Sequence, residues 1–384
     1  VHATILSVLI VALAFPVAAR ELVSDTGAFF DLPSGFSAGD GDGKTRFSYF
    51  DADNGMELDI MIFAPGRYSS AEIMASDLLG QMGSHGDNAS FRYQGRGAVI
   101  ADLSFTIRGS ARKGYAVFIA GSGSAFPASG SETCYALLAS AETSIFDSYS
   151  EMIISCLDSF SIDRAARRFP GPVSQFLFPW PADRRENKSS VLPAGSIPLP
   201  WSTAEAEQEL SVAEREYRVL TLFAESQTLW VDAWARYYRM VYKESAARLD
   251  DLTKAFIATL PANDPTECAR RVLAWVQGFH YERDFSGIDF VPPLVAAYER
   301  RGDCDSRAMV MAIILESLGI DSVLMVSREY SHAMLAVDVP GGGQRFPFKG
   351  KMYLVAETTA WVGLGMIDSS VADFSRWLGV DLGE

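Results

Sequence analysis

The chain has 384 residues, 48% of them hydrophobic and 12% aromatic, with a formal net charge of −15. That length and apolar content allow two folded units with cores of their own and exclude a disordered chain. The acidic balance, with no cluster of Lys and Arg, excludes nucleic acid and an anionic membrane surface as partners.

In chain order, Ile5 to Phe15 form an apolar core of signal-peptide length, and Val17-Ala18-Ala19 supplies small residues for cleavage. Residues 1–19 therefore read as an export signal cut after Ala19, although no Lys or Arg precedes the apolar core. The stretch is short for a membrane span, an uncleaved anchor being the alternative, and no cysteine follows the cut to carry a lipid. The expectation is a periplasmic or secreted protein without a membrane span once the signal is removed.

Residues 20–165 predict a first α+β unit, an antiparallel sheet with helices. Strand-like runs lie at Met56–Phe63 and near Gly97–Arg108, Gly114–Ala120 and Glu132–Ser140, with a helix near Ser70–Leu79 and a closing helix that carries Ile153–Phe160. Asp40-Gly41-Asp42-Gly43-Lys44-Thr45 is a turn. A phosphate loop would need glycine where Ala38 stands, and a calcium hand would need further carboxylates at fixed spacing. Cys134 and Cys156 read as buried free thiols, with a bridge between them as the alternative; Cys268 reads as core. Arg164, Arg167 and Arg168 read as a solvated edge.

Residues 166–201 read as a linker, from Pro170, Pro172, Pro179, Pro181, Pro193, Pro198 and Pro200, with Phe176, Phe178 and Trp180 able to pin it to a surface. From Ser202 the chain predicts helices at Ala204–Glu214, Trp230–Tyr242 and Ala246–Leu260. The Trp230, Trp234, Tyr237 and Tyr238 cluster reads as core rather than as a stacking platform.

The run Arg300 to Leu315 carries the strongest chemical signal. Gly302, Asp303 and Asp305 read as a loop and first turn, and Ala308, Met311, Ala312 and Leu315 recur at helical spacing up to Gly319, a fitting C-terminal cap. Cys304 then sits at the helix's positive end, where unpaired N–H groups and the macrodipole favour the nucleophilic thiolate. The plainer alternative is a small buried hydrophobe.

A nucleophilic cysteine needs a base and a group that orients it. Of the four histidines, His2 lies in the export segment and His85 in an upstream turn, which leaves His280 and His332. His280 reads as a packing residue beside Tyr281. His332 opens a strand-like run to Val339, and Lys351–Thr359 predicts a second strand. Antiparallel pairing with His332 opposite Glu357 sets Met334 against Val355, Ala336 against Tyr353, Asp338 against Lys351 and Leu335 against Leu354, all compatible pairs.

The order Cys, His, acid, with Gly302-Asp303-Cys304 on a helix, Ser331-His332-Ala333-Met334 opening a strand and Ala356-Glu357-Thr358-Thr359 on the next, resembles the transglutaminase-like superfamily. This group holds papain-type cysteine peptidases, amidases and acyltransferases, and the likeness covers about residues 265–365. The segment Ala274–Tyr281 is similar to the helix-then-tyrosine stretch that precedes the cysteine there. The resemblance implies a transglutaminase-like unit over 202–384 with a helical lead-in, and a catalytic set of Cys304, His332 and Glu357. Better-studied members carry aspartate at the third position; Asp338 or Asp368 would be next in line should Glu357 not fill it. Gln277, Tyr281 and Asp303 are expected at the oxyanion or substrate cleft, with plain helix packing the alternative for the first two.

The implied activity is cleavage of an amide bond in a protein or peptide, or transfer of the acyl group to an amine as in a crosslinking transglutaminase. A non-catalytic envelope binding or scaffold protein is the rival from another class. No cofactor or metal is expected, because His and Cys are too few and scattered for zinc; Asp303 and Asp305 in a calcium site are the alternative. In the first unit, Leu32-Pro33-Ser34-Gly35-Phe36 and Ser155-Cys156-Leu157-Asp158-Ser159-Phe160 resemble the Mog1/PsbP-like α+β fold, which implies a docking partner for that unit.

Overall fold

The computed structural model describes residues 27–51, 55–121, 133–179, 185–261, 264–283 and 288–383, together with the backbone of 21–22. The predicted export signal, His2 and Trp180 lie outside the described residues. The protein is a mixed α+β structure with sheets and helices in two regions.

A short ladder of β1 (Glu21–Leu22) and β2 (Phe29–Phe30) precedes the first sheet. That sheet comprises β3 (Ser37–Ala38), β4 (Arg46–Asp51), β5 (Met56–Phe63), β6 (Asn88–Tyr93), β7 (Arg96–Ile107), β8 (Ser110–Ile119) and β9 (Cys134–Glu142). Its seven strands run antiparallel in the order β3-β4-β5-β9-β8-β7-β6. Alternation along the strands explains why both faces are apolar. Ala116, Phe118, Ala136 and Leu138 pack with α1 (Ala71–Met82), while Val117, Ile119, Tyr135 and Leu137 pack with α2 (Phe146–Asp158).

Cys134 belongs to the α1 face and Cys156 to the α2 face, so the sheet itself separates them; all four cysteines are free and buried. The 40–45 segment is a turn, in which Asp42 Oδ1 accepts from the backbone N–H of Lys44, Thr45 and Arg46.

Residues 166–201 are not a bare linker. Pro172 occupies the first turn of α3 (Pro172–Leu177), where its missing N–H costs nothing, and Asp158 accepts from Val173 N, Ser174 N and Ser174 Oγ at 2.7, 2.9 and 2.6 Å. Pro198 and Pro200 lie on the second strand of a two-stranded ribbon, β10 (Glu186–Leu192) with β11 (Gly195–Trp201), and such a ribbon consists wholly of edges. Proline density signalled breaks that this geometry accommodates.

The rest of the chain supplies α4 (Thr203–Thr221), α5 (Trp230–Ser245), α6 (Asp250–Ile257), α7 (Pro265–Gln277), α8 (Pro293–Glu299) and α9 (Cys304–Ser317). A second sheet follows from β12 (Ser322–Ser327), β13 (His332–Val337), β14 (Arg345–Phe348), β15 (Lys351–Ala356) and β16 (Leu378–Asp381), antiparallel in the order β14-β15-β13-β12-β16. Helix α9 is buried on every side from Ala308 to Leu315, the pattern of a central rather than an amphipathic helix.

A buried polar seam joins the first sheet's region to the helical lead-in. Arg236 on α5 donates to Asp31 O (2.7 Å), Ser155 O (3.1 Å) and Glu216 Oε2 (3.1 Å), and Arg239 pairs with both carboxylate oxygens of Asp31. Arg215 on α4 pairs with Asp158 at 2.7 Å. One apolar cluster extends from Ala28 to Leu382 across this seam.

Candidate active site

The cysteine is placed by its helix terminus. Asp303 is the N-cap of α9 and accepts from Ser306 N at 3.1 Å, so Cys304 becomes the first helical residue. Gly302 has φ +147, and a Cβ there would stand 2.5 Å from Ser306 Cβ; only glycine fits. Arg307, one turn on, is buried and donates to the carbonyls of Gly302, Phe279 and Thr358. It thus ties the cysteine loop to the end of α7 and to the chain beyond β15.

The histidine is placed by a hairpin. Residues 328–331 connect β12 to β13, Ser331 takes φ +49, and His332 follows as the first residue of β13, opposite Ser327. The β13–β15 register sets Leu335 against Ala356, Ala336 against Val355 and Val337 against Leu354, two residues from the expected pairing. A two-residue shift keeps every side chain on its face, so the apolar pattern that excludes a one-residue slip does not discriminate here. Continued, the ladder would put Thr359 opposite His332, with Glu357 as its diagonal neighbour. Lys351 still reaches Asp338, at 3.4 Å, and lies closer to Asp321, at 2.8 Å.

His332 Nε2 lies 2.8 Å from Glu357 Oε2. The other carboxylate oxygen accepts from Thr359 N (2.8 Å) and Thr359 Oγ1 (2.6 Å). Burial raises the Glu357 pKa, but the His332 hydrogen bond and charge, with the two Thr359 donors, outweigh it and hold the carboxyl below its ordinary range. An ionised carboxylate can only accept, so Nε2 carries a hydrogen toward Glu357, and Nδ1 is the nitrogen through which the ring can exchange a proton.

The thiol does not follow the helix-dipole expectation. Cys304 Sγ donates to Asp305 Oδ2 at 3.2 Å, and Tyr238 OH donates to Asp305 Oδ1. Burial, then the Asp305 and Asp303 carboxylates, push the thiol far above its ordinary range, against the smaller help of the Ala333 N–H. Two flanking carboxylates in a buried setting outweigh the half-charge of a helix terminus. Among the described residues no hydrogen bond joins Cys304 to His332. They share a cavity of about 310 Å³, walled by Trp230, Trp234, Tyr237 and Tyr238 of α5 and closed by Asp305, Arg328 and Ser331. The aromatic cluster read as core is therefore, in part, the wall of this cavity.

The remaining expected site residues take other roles. Gln277 is buried, and its amide N–H₂ is spent on the carbonyls of Glu357 (2.8 Å) and Val362 (2.9 Å), so it positions the Glu357 segment and has no donor left for an oxyanion. Asp303 is 1% exposed and caps its helix; burial and Asp305 raise its carboxyl to about 7. Tyr281 is half exposed beneath the Arg307 guanidinium, and burial followed by Cys304 and Asp303 raises its hydroxyl pKa. The backbone of His280 bonds to Arg300 O (2.7 Å) and Gly302 N (2.9 Å), while its side chain is exposed. Ligand atoms of Asp303, Cys304 and Asp305 lie within 4.8 Å of one another, but Asp303 is committed to its cap and Asp305 to Tyr238 and the thiol.

Sequence reasoning missed three residues of the site: Arg307, Thr359 and Asp305 in its hold on the thiol. Thr359 stands two residues beyond Glu357, where the chain bends after β15 and brings its N–H and hydroxyl back to the carboxylate. The partners of Arg307 are all distant in sequence and leave no local trace.

No family model and no curated protein matches the chain. Among solved structures, cyanobacterial PsbP (CyanoP) from Synechocystis sp. PCC 6803 is similar at 12% identity and TM-score 0.30, over 38% of this chain and 93% of that one. LpqN, involved in cell envelope biogenesis of Mycobacterium tuberculosis, is similar at 15% identity and TM-score 0.27, over 39% of this chain and 86% of its own. A Bacteroides thetaiotaomicron VPI-5482 protein is similar at 9% identity and TM-score 0.26, over 87% and 88% of the two chains. At these scores the likenesses carry no argument about activity. No helix among the described residues is long and apolar enough to cross a membrane.

Proposed function

We propose that the protein is an exported cysteine hydrolase of transglutaminase-like design, acting on an amide bond of a protein or peptide through Cys304, His332 and Glu357. The observation that carries this reading is the His332–Glu357 contact of 2.8 Å, which leaves imidazole Nδ1 to exchange a proton on the cavity that Cys304 shares. The Mog1/PsbP-like reading of the first unit, and its role in docking, rest on the sequence motifs alone.

Because Cys304 rests as a thiol, attack is coupled to proton transfer. Sγ bonds to the carbonyl carbon as its proton passes to His332 Nδ1, and the C=O pair moves onto oxygen, toward the N–H groups of the α9 terminus. Collapse breaks the C–N bond, the imidazolium returns its proton to the leaving amine, and a thioester remains on Cys304. Water then completes hydrolysis; an amine acceptor would complete a crosslink. Glu357 keeps the ring in the required tautomer and stabilises its charged form.

A non-catalytic scaffold is the second reading, favoured by a thiol hydrogen that lies on Asp305 rather than on His332. Incubation with a fluorogenic peptide-amide library, followed by intact-mass detection of an acyl adduct, separates the two. An adduct lost in Cys304→Ala and His332→Ala, with folding unchanged, supports the hydrolase. No adduct, and alkylation of Cys304 by iodoacetamide no faster than that of Cys156, supports the scaffold.

A further inference from the structure

Of the two arginines that line the Cys304 cavity, Arg283 is paired with Asp289 and Arg328 has no carboxylate partner among the described residues. The cavity's two carboxylates are occupied, Asp305 by Tyr238 and the thiol, Asp289 by Arg283. The Trp230 indole N–H and the Tyr237 hydroxyl have no partner but are closed off from the cavity, so these two residues offer it their ring faces. Arg328, on the turn that precedes His332, makes no ion pair among the described residues; its guanidinium lies 6.0 Å from the Trp230 ring centre.

Arg328 is exposed at the cavity's rim, and an unpaired guanidinium beside an aromatic ring is a ready anion site. The wall is mixed, with Trp234, Tyr237 and Phe290 as its apolar part beside Ser327, Ser331 and His332. We infer that this cavity is a recognition pocket for a residue carrying a carboxylate beside an apolar or aromatic group, the carboxylate held by Arg328 and the apolar group by the Trp230 and Tyr237 rings. Resting on the hydrolase reading, that residue flanks the scissile amide, and the substrate class is an acidic or carboxyl-terminal aromatic peptide segment.

The probes are N-acetyl-phenylalanine and its uncharged amide, N-acetyl-phenylalaninamide. Each is titrated calorimetrically into the full chain and tested as a protector of Cys304 against iodoacetamide. The acid should bind about tenfold more tightly than the amide, the size of one charge-assisted hydrogen bond. Arg328→Gln should erase the preference while leaving amide binding unchanged, and Trp230→Phe, which keeps the aromatic wall, should preserve it. Equal affinity of acid and amide, failure of both to bind, or a preference that survives Arg328→Gln overturns the pocket. Calorimetric preference for the acid with a Cys304 that never reacts upholds the pocket and overturns the hydrolase.

Discussion

His332 and Glu357 meet at 2.8 Å just beyond the end of the β13–β15 ladder, whose register, continued, would make them diagonal neighbours and not a directly opposed pair. A diagonal contact spans more distance than a direct one, and glutamate supplies the extra methylene that aspartate lacks. The contact is also braced, because Thr359 occupies the second carboxylate oxygen.

Glu357→Asp should therefore lower kcat/KM by about an order of magnitude or more, with the ~10²–10⁴ range of general acid–base catalysis as the ceiling. Glu357→Gln should cost less than His332→Ala, since the histidine carries the proton itself. Steady-state kinetics on one peptide amide checks this, and near wild-type rates for both glutamate variants would remove Glu357 from the catalytic set. Thr359→Val, which loses the 2.6 Å bond but keeps the backbone donor, should give an intermediate loss.

Asp305→Asn should quicken iodoacetamide labelling of Cys304 and move its pH profile to lower pH. Burial is the largest cause of the raised thiol, and Asp305 the next; removing that carboxylate lowers the thiol pKa and increases thiolate at any given pH below it. Labelling rates from pH 6 to 10, read by peptide mass, should diverge most at the alkaline end. Identical profiles would place the control of the thiol elsewhere.

Arg236→Ala should destabilise the protein by about 3–5 kcal/mol, because Glu216 and the Asp31 and Ser155 carbonyls lose a donor in a buried setting. Denaturant unfolding followed by far-ultraviolet dichroism and tryptophan fluorescence checks it. The two probes should shift together, since the apolar core crosses the seam between the two regions.

Glu316→Gln should become more stabilising relative to wild type between pH 5 and 8. Burial raises the Glu316 carboxyl from its ordinary 4.5 to about 7, so the native state binds more protons than the unfolded chain in that window. Wild-type stability attributable to this group is full below the unfolded value and is lost as pH rises through about 7, by up to ~3 kcal/mol. Glutamine keeps the acceptor for Ser322 N and Oγ and cannot ionise. Melting temperatures of the pair at the two pH values test this; a constant difference would refute it.

Local signals were legible wherever one element decides its own form. Ser70 and Gly83 bracket α1, alternation marks β5, β7, β8 and β9, and Gly-Asp-Cys marks the start of α9. Composition misled at 166–201, where Pro172 sits in a helix's first turn and Pro198 and Pro200 lie on a two-stranded ribbon that is all edge.

By itself, then, the sequence determined which residues can do chemistry and on which faces of their elements they lie, because helix and strand periods are properties of the local backbone. It did not decide the β13–β15 register, since a shift of two residues conserves every face. Nor did it decide the state of Cys304, whose burial and contact with an Asp305 anchored by Tyr238 exist only once α5 packs against α9 and the second sheet. The same packing brings Trp230, Tyr237 and Arg328 to one cavity, and electrostatics in a cavity depend on distance through space, which spacing along the chain does not encode.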